Sequence, residues 1–216
     1  MVFDWLLTAV AATLNILVVA ALVRGQAFRR YRAIGLFCLV EIVAILVDTF
    51  GYSNLDRRAY ASIYWAFDFV VHFFLTLVIL GLIRSALRFW HGFAWVPYGL
   101  FAGMVVFACL SLLVLQSPNI NAWFIGFSRN LSFGEEVLNL ILWTLLLQRG
   151  ELDLQLIILS AGIGFQVTGE VIGLTLRPYT TDANRWVPDL LVQFCELLCL
   201  AIWLWAFSRK RLAVQT

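Results

Sequence analysis

Charge is scarce in this chain. Of its 216 residues, 13% are charged and 62% are hydrophobic, with a mean hydropathy of +0.91, whereas a soluble domain carries about 25% charge. No stretch is polar enough or long enough to form a soluble domain beside the apolar ones. The net charge is only +2, so a nucleic-acid partner is not expected. Lysine occurs once, as Lys210, beyond the last apolar run. That excludes a retinal pigment, whose Schiff base needs a lysine amine inside a helix. Histidine occurs twice, as His72 and His91. Two are too few for a seven-span zinc hydrolase, and His91 sits at the inner boundary, which also defeats a bis-histidine haem. Gly134-Glu135-Glu136 hints at an intramembrane prenyl protease. That chemistry wants an arginine where Leu140 stands and histidines further on, and none follows. Glycine-rich phosphate loops, Ser/His/Asp sets and Cys/His metal spacings are absent as well. No catalytic residues, and hence no enzyme, are expected. The four cysteines, Cys38, Cys109, Cys195 and Cys199, all fall in apolar runs and read as small buried hydrophobes. Asp4 stands where a signal peptide would carry basic residues, so none is expected.

What remains is apolar and periodic. Seven runs approach or exceed the roughly 20 residues a bilayer requires: Phe3–Val23, Ile34–Phe50, Ser62–Ile83, Phe93–Leu115, Ala122–Gln148, Leu154–Leu176 and Pro188–Phe207. The expected fold is all-α, a single seven-transmembrane helix bundle over residues 1–216 with short loops. Basic residues orient it. With the N-terminus outside, the inner loops and tail hold ten: Arg24, Arg29, Arg30, Arg32, Arg84, Arg88, Arg149, Arg209, Lys210 and Arg211. The outer loops hold four: Arg57, Arg58, Arg177 and Arg185. The C-terminus is therefore expected in the cytoplasm. Tryptophans gather at both predicted boundaries, Trp5, Trp65, Trp123 and Trp186 outside and Trp90, Trp95, Trp143, Trp203 and Trp205 inside. Span five is longer than a bilayer needs, and the reading adopted is one long buried helix rather than a surface helix bending at Gly134.

Beyond Asp4 and Asp189 at the run ends, seven of the thirteen acidic residues lie inside these runs: Glu41, Asp48, Asp68, Glu135, Glu136, Glu170 and Glu196. A carboxylate at a helix centre costs roughly 2.5 to 3.5 kcal/mol on insertion scales, so such groups face a bundle interior or a water-filled cavity. Their spacing follows helix faces: Glu41 and Asp48 in span two, Asp68, His72 and Thr76 in span three, Gln166 and Glu170 in span six, and Asp189, Gln193 and Glu196 in span seven. Span five is read with Arg129, Ser132, Glu136 and Asn139 on one face. The stripes predict a shared polar cavity in the outer half, built from Asp68, His72, Arg129, Glu136, Glu170, Gln193 and Glu196, with Glu41, Asp48 and Glu135 in secondary positions. Arg129, the one basic residue at that level, is expected to pair with Asp68, Glu170 or Glu196. A metal site drawn from Asp68, His72, Glu136, Glu170 and Glu196 would have a single histidine, so neither metal nor cofactor is expected.

Span one offers only Asn15, and span four has no ionisable group. Gly99-xxx-Gly103 in span four and Gly169-xxx-Gly173 in span six permit close helix approach. The first could serve an oligomer; the second is read as packing within the chain. The run Ser128–Arg177, with Arg129 ahead, a short charged turn and the glycine-rich Gly162-Ile163-Gly164-Phe165, resembles uncharacterised small seven-span membrane proteins of bacterial genomes. The second half of span three is similar in style. The resemblance implies topology and no activity. The expected protein is a multi-pass one of the bacterial inner membrane, a non-enzymatic sensor or receptor-like module working with a membrane or cytoplasmic protein partner. The alternative is a subunit of a redox or transport complex whose carboxylates relay protons. A stand-alone transporter is disfavoured by the lack of an inverted repeat.

The basic-residue bias sets the first test. Fluorescent protein fused to the C-terminus is expected to fluoresce, and alkaline phosphatase fused at the same point to be inactive. The opposite pattern would invert the topology.

Overall fold

The computed structural model describes residues 2–25, 27–89, 92–115, 120–148, 153–181, 184 and 186–208. Trp90, His91, Arg149, Arg185, Arg209, Lys210 and Arg211 lie outside the described residues, as do the side chains of Asp4, Arg57 and Arg58.

The structure is all-α, with seven long helices: α1 (Val2–Arg24), α2 (Arg32–Asn54), α3 (Arg57–Ala86), α4 (Val96–Val114), α5 (Ile120–Leu147), α6 (Leu154–Leu176) and α7 (Trp186–Ser208). Six of them, all but α5, are long and apolar enough to cross a membrane. Their limits follow local chemistry. Asp56 caps α3 by accepting from the Ala59 amide at 3.1 Å, and Asp153 caps α6 by accepting from Leu156 at 3.2 Å. Both carboxylates also suit the positive end of the helix dipole. α5 runs unbroken through Gly134, as a long helix rather than a bent one.

The packing order differs from the chain order. α1 packs on α2 and α7, α2 on α3, α3 on α5, α5 on α6, and α6 on α7. These six helices close into a ring, and α3 also touches α6 across it. α4 lies outside the ring against α3 and α5. Composition explains the exclusion: each ring helix has a polar residue to hide, whereas α4 has no ionisable group and keeps an apolar surface, with Leu113 and Val114 largely exposed. Gly134 on α5 admits α4, since a Cβ there would run into Met104 and Phe107.

The apolar core fills the half of the ring where α1 ends and α2 begins, termed the inner half; the half where α1 begins is termed the outer half. Val18, Leu22, Ile34, Phe37, Leu75, Ile79, Leu142, Leu146, Leu159 and Trp203 are buried there. The Trp203 indole N–H donates to the Leu159 carbonyl at 3.0 Å, and its ring meets Phe37 edge-on at 5.8 Å. At the inner rim Arg30 pairs with the cap residue Asp153 at 2.8 Å, tying the turn before α2 to the start of α6. Two tryptophans depart from the boundary reading. Trp203 is fully buried, and Trp65 is buried and stacked on Phe124 at 5.0 Å. Trp5, Trp95 and Trp186 stay exposed.

The two small-residue motifs behave differently. On α6 a Cβ at Gly169 would collide with Cys195, one at Gly173 with Val192 and the Pro188 carbonyl, and one at Gly162 with the Trp203 indole. The α6–α7 contact therefore depends on these glycines. Gly99 has only Trp95 of its own helix nearby, and Gly103 has nothing within 4 Å. Gly169→Leu is expected to lower thermal stability by about 1–3 kcal/mol or more through overpacking, while Gly103→Leu leaves the midpoint of the detergent-solubilised chain unchanged. Equal midpoints for the two variants would contradict this packing.

Candidate functional site

A cavity of about 260 Å³ opens in the outer half of the ring. α1 contributes Thr8 and Ala11, and α2 contributes Glu41 and Asp48. α3 contributes Tyr60, Tyr64, Phe67 and Asp68, α6 contributes Glu170, and α7 contributes Gln193 and Glu196. Five of the described lining residues carry carboxyl groups, and none of the described lining residues is lysine or arginine. Of the residues that the sequence spacing grouped, Asp68, Glu170, Gln193, Glu196, Glu41 and Asp48 line this cavity. Asp48, at the mouth, is exposed and accepts a hydrogen bond from Tyr60 at 2.5 Å. The cavity is closed below by the apolar inner half of the ring.

Behind the lining residues of α3 and α6, the helices α3, α5 and α6 are joined by hydrogen bonds; neither His72 nor any described α5 residue lines the cavity itself. His72 Nδ1 lies 3.1 Å from Glu135 Oε2, and the Thr76 hydroxyl donates to Glu135 Oε1 at 3.1 Å. Ser132 donates to Glu170 Oε2 at 3.1 Å, and Ser128 donates to Asp68. His72 Nε2 stands 3.9 Å from Asp68 Oδ2. His72, Thr76, Ser128, Ser132 and Glu135 are all buried, Glu135 and Ser132 completely.

The opposite wall is different. Glu41 on α2 is buried and Glu196 on α7 is half-buried. Neither has a hydrogen bond or ion pair to another described residue. Glu196 is the strongest charged neighbour of Glu41. Deeper in the ring, Asn15 Oδ1, Asn139 Oδ1 and Gln166 Oε1 are buried acceptors with no partner among the described residues. Asn139 and Gln166 lie one helical turn inward of Glu135 and Glu170.

Span five needs a correction of register. The interior face carries Ser128, Ser132, Glu135 and Asn139, all buried, at offsets 0, 4, 7 and 11. The sequence reading placed Arg129, Ser132, Glu136 and Asn139 there, at offsets 0, 3, 7 and 10. Both sets suit a helix and they share two members, so spacing alone does not separate them. Glu135 is thus central rather than secondary. Glu136 is half-buried on a neighbouring face near Thr168, and its buried Oε2 has no hydrogen-bond partner among the described residues. Arg129 is half-buried, does not line the cavity and makes no ion pair with another described residue. The expected pairing of Arg129 with Asp68, Glu170 or Glu196 is not formed. The arginine with a described acidic partner at the outer rim is Arg177, which joins the end of α6 to Asp189 of α7 at 2.7 Å. Tyr60, Tyr64 and Ser128 were missed; Ser128, one turn before Ser132, was the one with a signal in its spacing.

No protein-family model, no curated protein and no solved structure matches this chain. The likeness to small membrane proteins stands at the level of several long apolar helices.

Removing His72 should matter more than removing Arg129. His72→Ala leaves Glu135 buried without its partner, and a loss of about 3–5 kcal/mol is expected. Arg129→Ala is expected to cost less than about 1 kcal/mol. Thermal or chemical unfolding in one detergent reads both, and a larger loss for Arg129→Ala would restore the pairing that the structure lacks.

Proposed function

We propose that this chain is a non-enzymatic, receptor-like membrane module that binds a small organic cation in its outer cavity and passes the binding event to a protein partner. The observation that carries the reading is the lining: five carboxyl groups, with no lysine or arginine among the described lining residues. Such a group must be neutralised by protons or by a bound cation. Tyr60, Tyr64 and Phe67 add ring surfaces suited to an ammonium group. Glu41 and Glu196, without protein donors, are the carboxylates free to engage it.

In this reading α5 is the seventh span. Its length is roughly 42 Å at 1.5 Å per residue, and its place in the ring between α3 and α6 supports a crossing. The basic-residue bias supports an outside N-terminus, with the chain forming one domain in a bacterial inner membrane. The cavity then faces the periplasm, and any output runs through a membrane or cytoplasmic partner. A second reading has its own support. The unpartnered acceptors of Asn15, Asn139 and Gln166 extend the polar interior inward from the cavity, as a proton relay in a larger complex would require.

The test uses the full chain in nanodiscs, with tetramethylammonium and putrescine as probes and acetate and a neutral diol as controls. A ligand at a hundredfold excess over Kd stabilises by about 2.7 kcal/mol, so a rise in midpoint is expected with a cation alone. The rise is expected to vanish in Glu41→Gln and Glu196→Gln. No rise with either cation, together with co-purification of other chains in fixed ratio, would replace this reading with the relay.

A further inference from the structure

We infer that His72, Glu135 and Glu170 form a binding site for a divalent transition-metal ion in the α3–α5–α6 wall. The site shares Glu170 with the cavity but does not use Glu41 or Glu196, and the inference stands whether or not the cavity takes an organic cation. One donor atom from each of the three residues falls within 4.8 Å of the others. The tightest pair, His72 Nδ1 and Glu135 Oε2, is 3.1 Å apart. Donors bound to one zinc ion at 2.0–2.2 Å in a tetrahedron are roughly 3.3–3.6 Å apart, so closing the set needs only an adjustment of Glu170.

The groups around these donors are arranged as a metal site requires. Each carboxylate has one oxygen held by a hydroxyl and the other left for an ion. Thr76 holds Oε1 of Glu135, leaving Oε2 toward His72, and Ser132 holds Oε2 of Glu170, leaving Oε1. His72 turns Nδ1 to the site, and Asp68 stands 3.9 Å beyond its other nitrogen, longer than a hydrogen bond, so that metal binding would have to draw the two together. A ligating histidine characteristically gives its second N–H to a carboxylate, which fixes the ring and raises its basicity. Asp68 is itself held by Ser128.

Charge supports the same conclusion. Two carboxylates and a neutral imidazole sum to −2, which one divalent ion cancels within a buried part of the membrane interior. One nitrogen and two carboxylate oxygens suit zinc, manganese or ferrous iron better than the all-oxygen preference of calcium or magnesium. Glu170 also lines the cavity, which gives the ion a route in. Counting histidines in the sequence argued against a metal. One histidine suffices when two carboxylates complete the set, and Glu135, the residue the register error displaced, is the one that completes it.

The experiment takes the full chain in nanodiscs, strips it with EDTA, incubates it with zinc chloride and removes free metal by gel filtration. Metal analysis is expected to find about one zinc per chain, and X-ray absorption at the zinc edge to show an imidazole nitrogen among oxygen donors. Glu135→Gln and His72→Ala are expected to lose the retained zinc, and Ser132→Ala to weaken binding about tenfold. Negligible zinc on the folded wild-type chain, or a spectrum without imidazole, would overturn the site and leave a plain His72–Glu135 hydrogen bond. So would full retention by Glu135→Gln. If the variants do not fold, the wild-type stoichiometry and spectrum decide alone.

Discussion

A carboxyl group cannot face hydrocarbon cheaply, and this chain carries five of them around one interior. Most of the architecture follows from hiding them. Glu41, Asp68, Glu135, Glu170 and Glu196 come from five different helices, so those helices must turn toward one another. α1 joins them with Asn15, which is fully buried. Six polar faces seeking one interior make a ring. α4, which has no carboxyl group and buries the polar side chain of Ser111 alone among its described residues, is left on the outside against α3 and α5. The chain thereby skips a helix, and α3 meets α5 directly.

The ring is divided along its axis. Its inner half is closed by aliphatic side chains, Phe37 and Trp203, with glycines on α6 letting α7 approach. Its outer half is open, acidic and lined partly by tyrosine. The cavity is therefore blind, which suits binding better than passage. A route through the membrane would have to part the packed layer around Leu75, Leu142, Leu159 and Trp203. The close α6–α7 contact also joins the two halves mechanically. Glu196 lies one turn outward of Leu200 and two turns outward of Trp203, so a shift of α7 at the cavity would be felt in the apolar layer.

Helix positions were legible because hydropathy and length are local properties. α6 spans the residues its apolar run marks, and the other helices extend or trim theirs by a few residues at each end. The convergence of Asp68, Glu170 and Glu196 was legible too, because their depth and cost in lipid leave few alternatives. Helix order was not, since it depends on which faces meet, and a stripe does not name its partner. The register of α5 failed for a physical reason. Glu135 and Glu136 are adjacent, about 100° apart on the helix; Ser132 and Asn139 suit either. An arginine among acids invited the choice of the Arg129 face. Burial decides the other way, because the α3 and α6 partners, His72, Thr76 and Glu170, converge on Glu135 and its neighbour Ser132.

The position of His72 separates the carboxylates into two kinds. On the α3–α5–α6 side, Asp68, Glu135 and Glu170 each receive at least one protein donor. On the α2–α7 side, Glu41 and Glu196 face each other with none among the described residues. A satisfied carboxylate is fixed in orientation and resists displacement; an unsatisfied one must find a proton, a water or a ligand. Structural glue would distribute donors evenly, because every buried acceptor left alone works against folding. The uneven distribution found here supports the proposed binding role, with one wall held rigid by serine, threonine and histidine, and the other kept open in its hydrogen bonding among the described residues. The rigid wall can hold its groups at fixed spacing, and the open wall can respond to whatever enters between Glu41 and Glu196.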